Sequence, residues 1–138
     1  MKRQLYKKGS NFERELKKLF ENKGFAVIRS AGSHGVDLVV GKKGKIYAFE
    51  CKATSNKKFY ISNDDVDKLI NFSETFGALP YIALKVTKSP ESNQRLSSEI
   101  LFINPYLLIS SGKNYSLDYH KIYPISEKIE DIINNNIY

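Results

Sequence analysis

The sequence contains a single cysteine, Cys51, so no disulfide can form within the chain. With only His34 and His120 beside it, a Cys/His zinc cluster is excluded as well. No apolar run approaches the roughly 20 residues that a membrane-spanning helix needs. The basic start, Met1-Lys2-Arg3-Gln4-Leu5-Tyr6-Lys7-Lys8, leads into no apolar core of a secretory leader. Internal repeats and Pro- or Gly-rich linkers are lacking too. The expectation from these absences is one domain over residues 1–138, working in the cytoplasm with no membrane partner, or in the host-cell cytoplasm if the source is viral. Residues 1–8 read as a basic arm and residues 132–138 as a frayed tail.

What is present is charge, unevenly spread. The net charge is +7, yet residues 1–58 hold 15 Lys or Arg against 5 Asp or Glu, while residues 59–138 hold 7 against 10. A half-chain this basic favours a polyanionic partner, because Lys and Arg at phosphates release condensed counterions. A solvated surface that only aids solubility accounts for charge equally well, so the partner class needs a second observation.

Apolar spacing supplies the elements. Phe12, Leu16, Leu19 and Phe20 recur at helical intervals, and Gly24 stands where that helix stops. Short strands follow over 25–28, 36–40 and 45–52, with Gly41-Lys42-Lys43-Gly44 as the turn between the last two. A brief strand is possible at 59–61. Ser62 or Asn63 caps a helix over about 64–75, with Val66, Leu69, Ile70 and Phe76 on one side and Gly77 at its end. Strands over 81–86 and 99–103 flank a polar loop over 88–98. Beyond them stand a short apolar turn at 107–109 and a helix from Ser126. The order α-β-β-β-α-β-β describes an α/β chain: one mixed sheet flanked by helices.

The chemistry-bearing residues lie on those strands. Glu50 and Lys52 are two apart, so both project from one strand face while Phe49 and Cys51 face the core. A lone Glu-x-Lys is common in lysine-rich chains and by itself reads as a surface ion pair. Asp37 changes that reading, because the Gly41–Gly44 turn brings its strand beside the one carrying Glu50. Two carboxylates and a lysine then converge. Hard Mg²⁺ takes oxygen ligands and keeps several waters, so a few carboxylates plus substrate phosphate oxygens suffice to hold it. Such an ion promotes attack of water on a phosphodiester, and an adjacent lysine orients that water or offsets the charge that develops.

Four stretches then resemble a known family in register. Gly9-Ser10-Asn11-Phe12-Glu13-Arg14-Glu15-Leu16, Gly24-Phe25-Ala26-Val27-Ile28-Arg29-Ser30-Ala31-Gly32-Ser33, Val36-Asp37-Leu38-Val39 and Phe49-Glu50-Cys51-Lys52 are similar to the archaeal Holliday junction resolvases. These belong to the PD-(D/E)xK nuclease superfamily and have a restriction-endonuclease-like fold. The similarity runs from about residue 8 to 86 and includes Leu69-Ile70-Asn71-Phe72 followed by Phe76-Gly77. Val36 departs from the Pro common in the wider superfamily, and no match is evident beyond about residue 88.

The resemblance implies a Mg²⁺-dependent endodeoxyribonuclease, with Mn²⁺ able to substitute. It implies a homodimer that resolves four-way junction DNA by paired symmetric nicks. Glu13, Asp37 and Glu50 would bind metal, with the Cys51 backbone carbonyl as a further ligand. Lys52 would serve the attacking water, and Ser33 would touch the phosphate near the cut, with Ser30 its nearest rival. Lys7, Lys8, Arg29, Ser30, Lys57 and Lys58 are assigned to DNA, each also readable as an ordinary solvated side chain. Other bland readings stand beside these. Ser10-Asn11-Phe12-Glu13 fits a helix capping box, His34 reads as a surface histidine, and Cys51 as core filler. The alternatives to junction resolution are a restriction-like or repair enzyme cutting duplex, and a non-catalytic DNA-binding module.

Overall fold

Phe12, Leu16 and Phe20 recur every four residues, and in a computed structural model all three are buried along one side of α1 (Lys2–Asn22). The structure describes residues 2–30, 36–87, 98–110 and 112–134, with residues 2–10 by backbone alone. α1 therefore starts well before Ser10, and the residues read as a basic arm are helical from Lys2. Gln4, Leu5, Lys7 and Lys8 are good helix formers, and a lone Gly9 costs only about 1 kcal/mol, too little to stop the helix. With Ser10 inside the helix, the capping-box reading of Glu13 fails. Gly24, in the left-handed region at φ 87°, ends the run, and the Phe25 N–H reaches back to the Phe20 carbonyl at 3.0 Å.

Strands β1 (Ala26–Arg29), β2 (Leu38–Lys42), β3 (Lys45–Thr54), β5 (Leu79–Thr87) and β6 (Ser98–Ile103) form a sheet in the order β1-β2-β3-β5-β6. Only the β3–β5 pair is parallel, so the sheet is mixed. Parallel neighbours need a long crossover, here β4 (Lys58–Ser62) and α2 (Asn63–Phe76). Ser62 Oγ accepts the Asp65 N–H at the start of α2, and Gly77 closes it at φ 88°. The β2–β3 turn is tighter than the four-residue signal suggested. Lys43 and Gly44 both have positive φ, and Lys42 pairs with Lys45.

α1 covers one sheet face through Phe12, Leu16 and Phe20 against Phe49, Cys51 and Phe102. α2 covers part of the other through Val66 and Leu69, packed with Ala48, Ile82 and Leu84. Among the described residues no helix is long and apolar enough to cross a membrane.

The predicted α/β mixed sheet flanked by helices is thus the observed fold, with differences toward the C-terminus. β4 joins no strand of the main sheet. It pairs antiparallel with β7 (Asn114–Asp118) in a separate two-stranded ribbon. Asn-Tyr-Ser-Leu-Asp carries only a weak strand signal, since that ribbon buries just Leu117 on it. The apolar turn proves to be a 3-10 turn, Pro105–Leu107. After α3 (Tyr119–Ile122) and a second 3-10 turn, the last helix is α4 (Ile129–Asn134), beginning later than Ser126. The polar loop over 88–98 lies outside the described residues, except Ser98, which opens β6.

Nor does the expected frayed tail begin at 132. Ile132 is fully buried in the α1-side core. Its carbonyl accepts the Tyr47 hydroxyl at 3.0 Å, and the Ile133 carbonyl accepts Lys45 Nζ at 3.1 Å. An Ile132→Ala change is accordingly expected to cost about 2–5 kcal/mol. That loss appears as a lower urea midpoint at unchanged slope. A frayed residue would leave the midpoint where it is.

Candidate active site

The site forms where β2 and β3 run side by side toward the N-terminal turn of α2. Side chains alternate along β3, so burying Phe49 and Cys51 under α1 turns Glu50 and Lys52 to the α2 side. The tight turn sets the register, with Leu38 opposite Phe49. Asp37 then stands next in line, and its N–H extends the pairing to the Phe49 carbonyl at 2.9 Å. Asp37 Oδ2 accepts the Cys51 N–H at 2.7 Å, fixing the carboxylate against the backbone of β3. Lys52 Nζ lies 3.5 Å from Glu50 Oε1 and 3.3 Å from Asp65 Oδ2.

Glu13 approaches from α1, half-buried, with Oε1 accepting from Arg29 Nε at 3.2 Å. Ser30 continues from Arg29, and its N–H donates to the Asp37 carbonyl at 2.9 Å. Lys57 and Lys58 are exposed at the start of β4, and His120 is exposed on α3. Lys7 and Lys8 lie on α1 where only the backbone is described. Ser33 and His34 lie outside the described residues.

Burial, with crowded carboxylates beside it, sets the electrostatics. Burial, then the neighbouring Asp37, pushes Glu50 up to about 7 despite Lys52 beside it. Asp37 is raised by burial, only partly offset by the Cys51 N–H and Lys52. Glu13 is raised by burial and by Asp37, against the pull of Arg29. Burial disfavours a charged Lys52, but Glu50, Asp65 and Asp37 together outweigh it and hold its proton more tightly than usual. Burial lifts the Cys51 thiol well above its ordinary range, which leaves it a neutral core side chain and no nucleophile.

Asp65 was not anticipated from the sequence. Two acids in the first turn of α2 look like ordinary helix-dipole partners, and only the crossover brings one of them to Lys52. Elsewhere the acid on α1 two residues from Glu13, Glu15, ties that helix to β5 through Lys85 Nζ at 2.5 Å.

The chain that carries this cluster has relatives among known proteins. Residues 4–136 match the family model described as archaeal Holliday junction resolvase (hjc). The chain belongs to the archaeal Holliday junction resolvase family. The match also corrects the view that similarity ends near residue 88. The crossover junction endodeoxyribonuclease Hjc of Methanocaldococcus jannaschii is 56% identical over 116 residues, 84% of this chain and 80% of that protein. Its namesake in Archaeoglobus fulgidus is 34% identical over 131 residues, 91% of this chain and 88% of that one. A solved structure of the Archaeoglobus fulgidus Hjc, described as a Holliday junction resolvase, superposes with a TM-score of 0.77 at 31% identity. It spans 95% of this chain and 99% of that one.

Four carboxylates of this family member (Glu13, Asp37, Glu50 and Asp65) face three cations, Arg14, Arg29 and Lys52. Burial, together with the neighbouring Asp37, pushes Glu50 up to about 7, and a cluster with surplus carboxylates suits a hard divalent cation. Among the described residues no three carboxylate, histidine or cysteine side chains are grouped so as to hold an ion by themselves. An ion seated at these carboxylates would have to keep waters and take phosphate oxygens, as hard divalent cations do.

Proposed function

We propose that the protein resolves four-way DNA junctions by hydrolysing one phosphodiester on each of two opposed strands, with Mg²⁺ or Mn²⁺, as a homodimer. The observation that carries this reading is the convergence of Asp37, Glu50 and Lys52, in a chain of this family, at one end of the mixed sheet. Asp37 and Glu50 would hold the ion with the Cys51 carbonyl beside them, and Glu13 would complete the set. When bound, the ion activates water and offsets charge on the phosphate.

The protein groups do the rest. Lys52 orients the attacking water and meets the negative charge that builds on the phosphate oxygens. Asp37 is held to its geometry by the Cys51 N–H, so little reorganisation precedes reaction. Arg29 neutralises Glu13 in the free protein. A phosphate arriving at Arg29 would compete with Glu13 for the guanidinium and leave the Glu13 carboxylate available to hold an ion. Lys7, Lys8, Lys57 and Lys58 track the duplex arms, and Ser33, with Ser30 as its rival, contacts the phosphate near the cut. The two copies meet through the apolar end of α2, where the Phe72 and Phe76 rings stack at 5.3 Å and Phe76 and Leu79 are exposed.

An end-labelled four-way junction and a linear duplex of the same sequence test the reading side by side. With Mg²⁺, paired nicks are expected in opposed strands of the junction and none in the duplex, and excess chelator should stop cutting. Cleavage of duplex at a defined place would point instead to a restriction-like or repair enzyme. Cleavage of neither would leave a DNA-binding module.

A further inference from the structure

Building on that functional reading, we propose that Asp65 is the positioning residue for Lys52, holding its ammonium at the active centre while Glu50 is engaged with the metal ion. Lys52 has two carboxylate partners at similar range, Glu50 at 3.5 Å and Asp65 at 3.3 Å. They are not equivalent. Glu50 lies next to Asp37 in the cluster suited to a cation, and oxygens given to a cation are no longer available to an ammonium. The same cation repels Lys52. A four-carbon stem with free rotors would then swing away unless a second anchor remained. Asp65, reached from the opposite side on α2, is that anchor.

Its placement is rigid. The Asp65 N–H is bound by Ser62 Oγ at 3.1 Å, and the turn that follows is pinned by Val66 and Leu69, both buried. An acid at this helical position ordinarily offsets the helix dipole or bonds back to the cap. Asp64 next to it meets the ordinary use, highly exposed and paired with Lys68 at 3.1 Å. Asp65 instead spans from α2 to β3. Both partners of that pair are about one-third exposed (34% and 37%), a setting in which an ion pair adds little stability. Orientation of Lys52 is what the pair supplies.

The test compares wild type with Asp65→Ala, Asp65→Asn and, as a control, Asp64→Asn. Three quantities are read: single-turnover cleavage of prebound junction in saturating Mg²⁺, junction Kd in Ca²⁺, and the Lys52 side-chain ammonium resonance in ¹⁵N-lysine-labelled protein saturated with Ca²⁺, so that Glu50 is engaged by an ion. Asp65→Ala is expected to slow cleavage roughly 10- to 100-fold, the scale of a misplaced reacting group. Junction Kd should stay within about twofold, since Asp65 faces Lys52 rather than a phosphate. The ammonium signal should broaden or vanish. Asp65→Asn, which keeps an acceptor oxygen in place, should recover part of the rate, and Asp64→Asn should match wild type throughout. Wild-type cleavage rates in Asp65→Ala, an unaltered Lys52 signal, or a rate loss that merely follows weaker junction binding would each overturn the proposal. Wild-type protein that cuts no junction would overturn the functional reading alone, because the Lys52 signal still decides whether Asp65 holds the ammonium.

Discussion

Asp37→Asn is expected to slow junction cleavage by roughly 10³-fold or more while leaving the fold and junction binding intact. The asparagine oxygen can still accept the Cys51 N–H that Asp37 Oδ2 now takes at 2.7 Å. The backbone between β2 and β3 therefore stays satisfied. What is lost is the negative charge that would hold the ion, and a factor of 10³ corresponds to about 4 kcal/mol of barrier. Asp37→Ala is the less informative change, since it orphans the Cys51 N–H and adds about 1–3 kcal/mol of destabilisation. Single-turnover rates with prebound junction read the chemistry, and a gel shift in Ca²⁺ reads binding. Asp37→Asn protein that cuts at the wild-type rate would mean that the site is wrongly assigned.

Glu50→Gln should separate stability from function. In the metal-free protein Glu50 titrates near 7 against an ordinary 4.5, because burial and the Asp37 charge oppose its ionised form. Between those values the folded protein holds a proton that the unfolded chain has released. Stability therefore falls as pH rises through that window, and the loss is complete above about 7. A shift of this size corresponds to about 3 kcal/mol, and the Glu50 side chain is only 14% exposed, so solvent screens it little. Glutamine imitates the protonated form at every pH. In chelator at pH 8, Glu50→Gln is expected to unfold at a higher temperature than wild type by several degrees, with the gap closing toward pH 5, yet to cut no junction. A gap that stayed constant with pH would exclude Glu50 as its source. On the proposed function a proton and Mg²⁺ would compete for one carboxylate in the wild type, so half-maximal cleavage should require more Mg²⁺ below pH 7.

These two expectations rest on residues whose adjacency was legible to different degrees. Period-2 alternation alone puts Glu50 and Lys52 on one face, because Phe49 and Cys51 must take the other. That Asp37 meets them depended on the turn. The four-residue signal left the register open, and Lys43 and Gly44 with positive φ closed it. Glu13 was legible through family resemblance. Local spacing favoured a cap at Ser10, since local rules do not reveal that a helix begins eight residues earlier, at Lys2.

Composition, alternation and glycine placement determined the elements that frame the site, the basic half of the chain, and the strand-borne Glu50 and Lys52. Each follows from a local property: side-chain direction, helical periodicity or charge. The tertiary structure alone decided the rest. It paired β4 with β7, drew Ile132 into the core beneath Tyr47, set Arg29 against Glu13, and brought Asp65 to Lys52. All four are contacts between residues at least 13 positions apart in sequence. They depend on how the elements cross and pack, and local patterning carries no record of that.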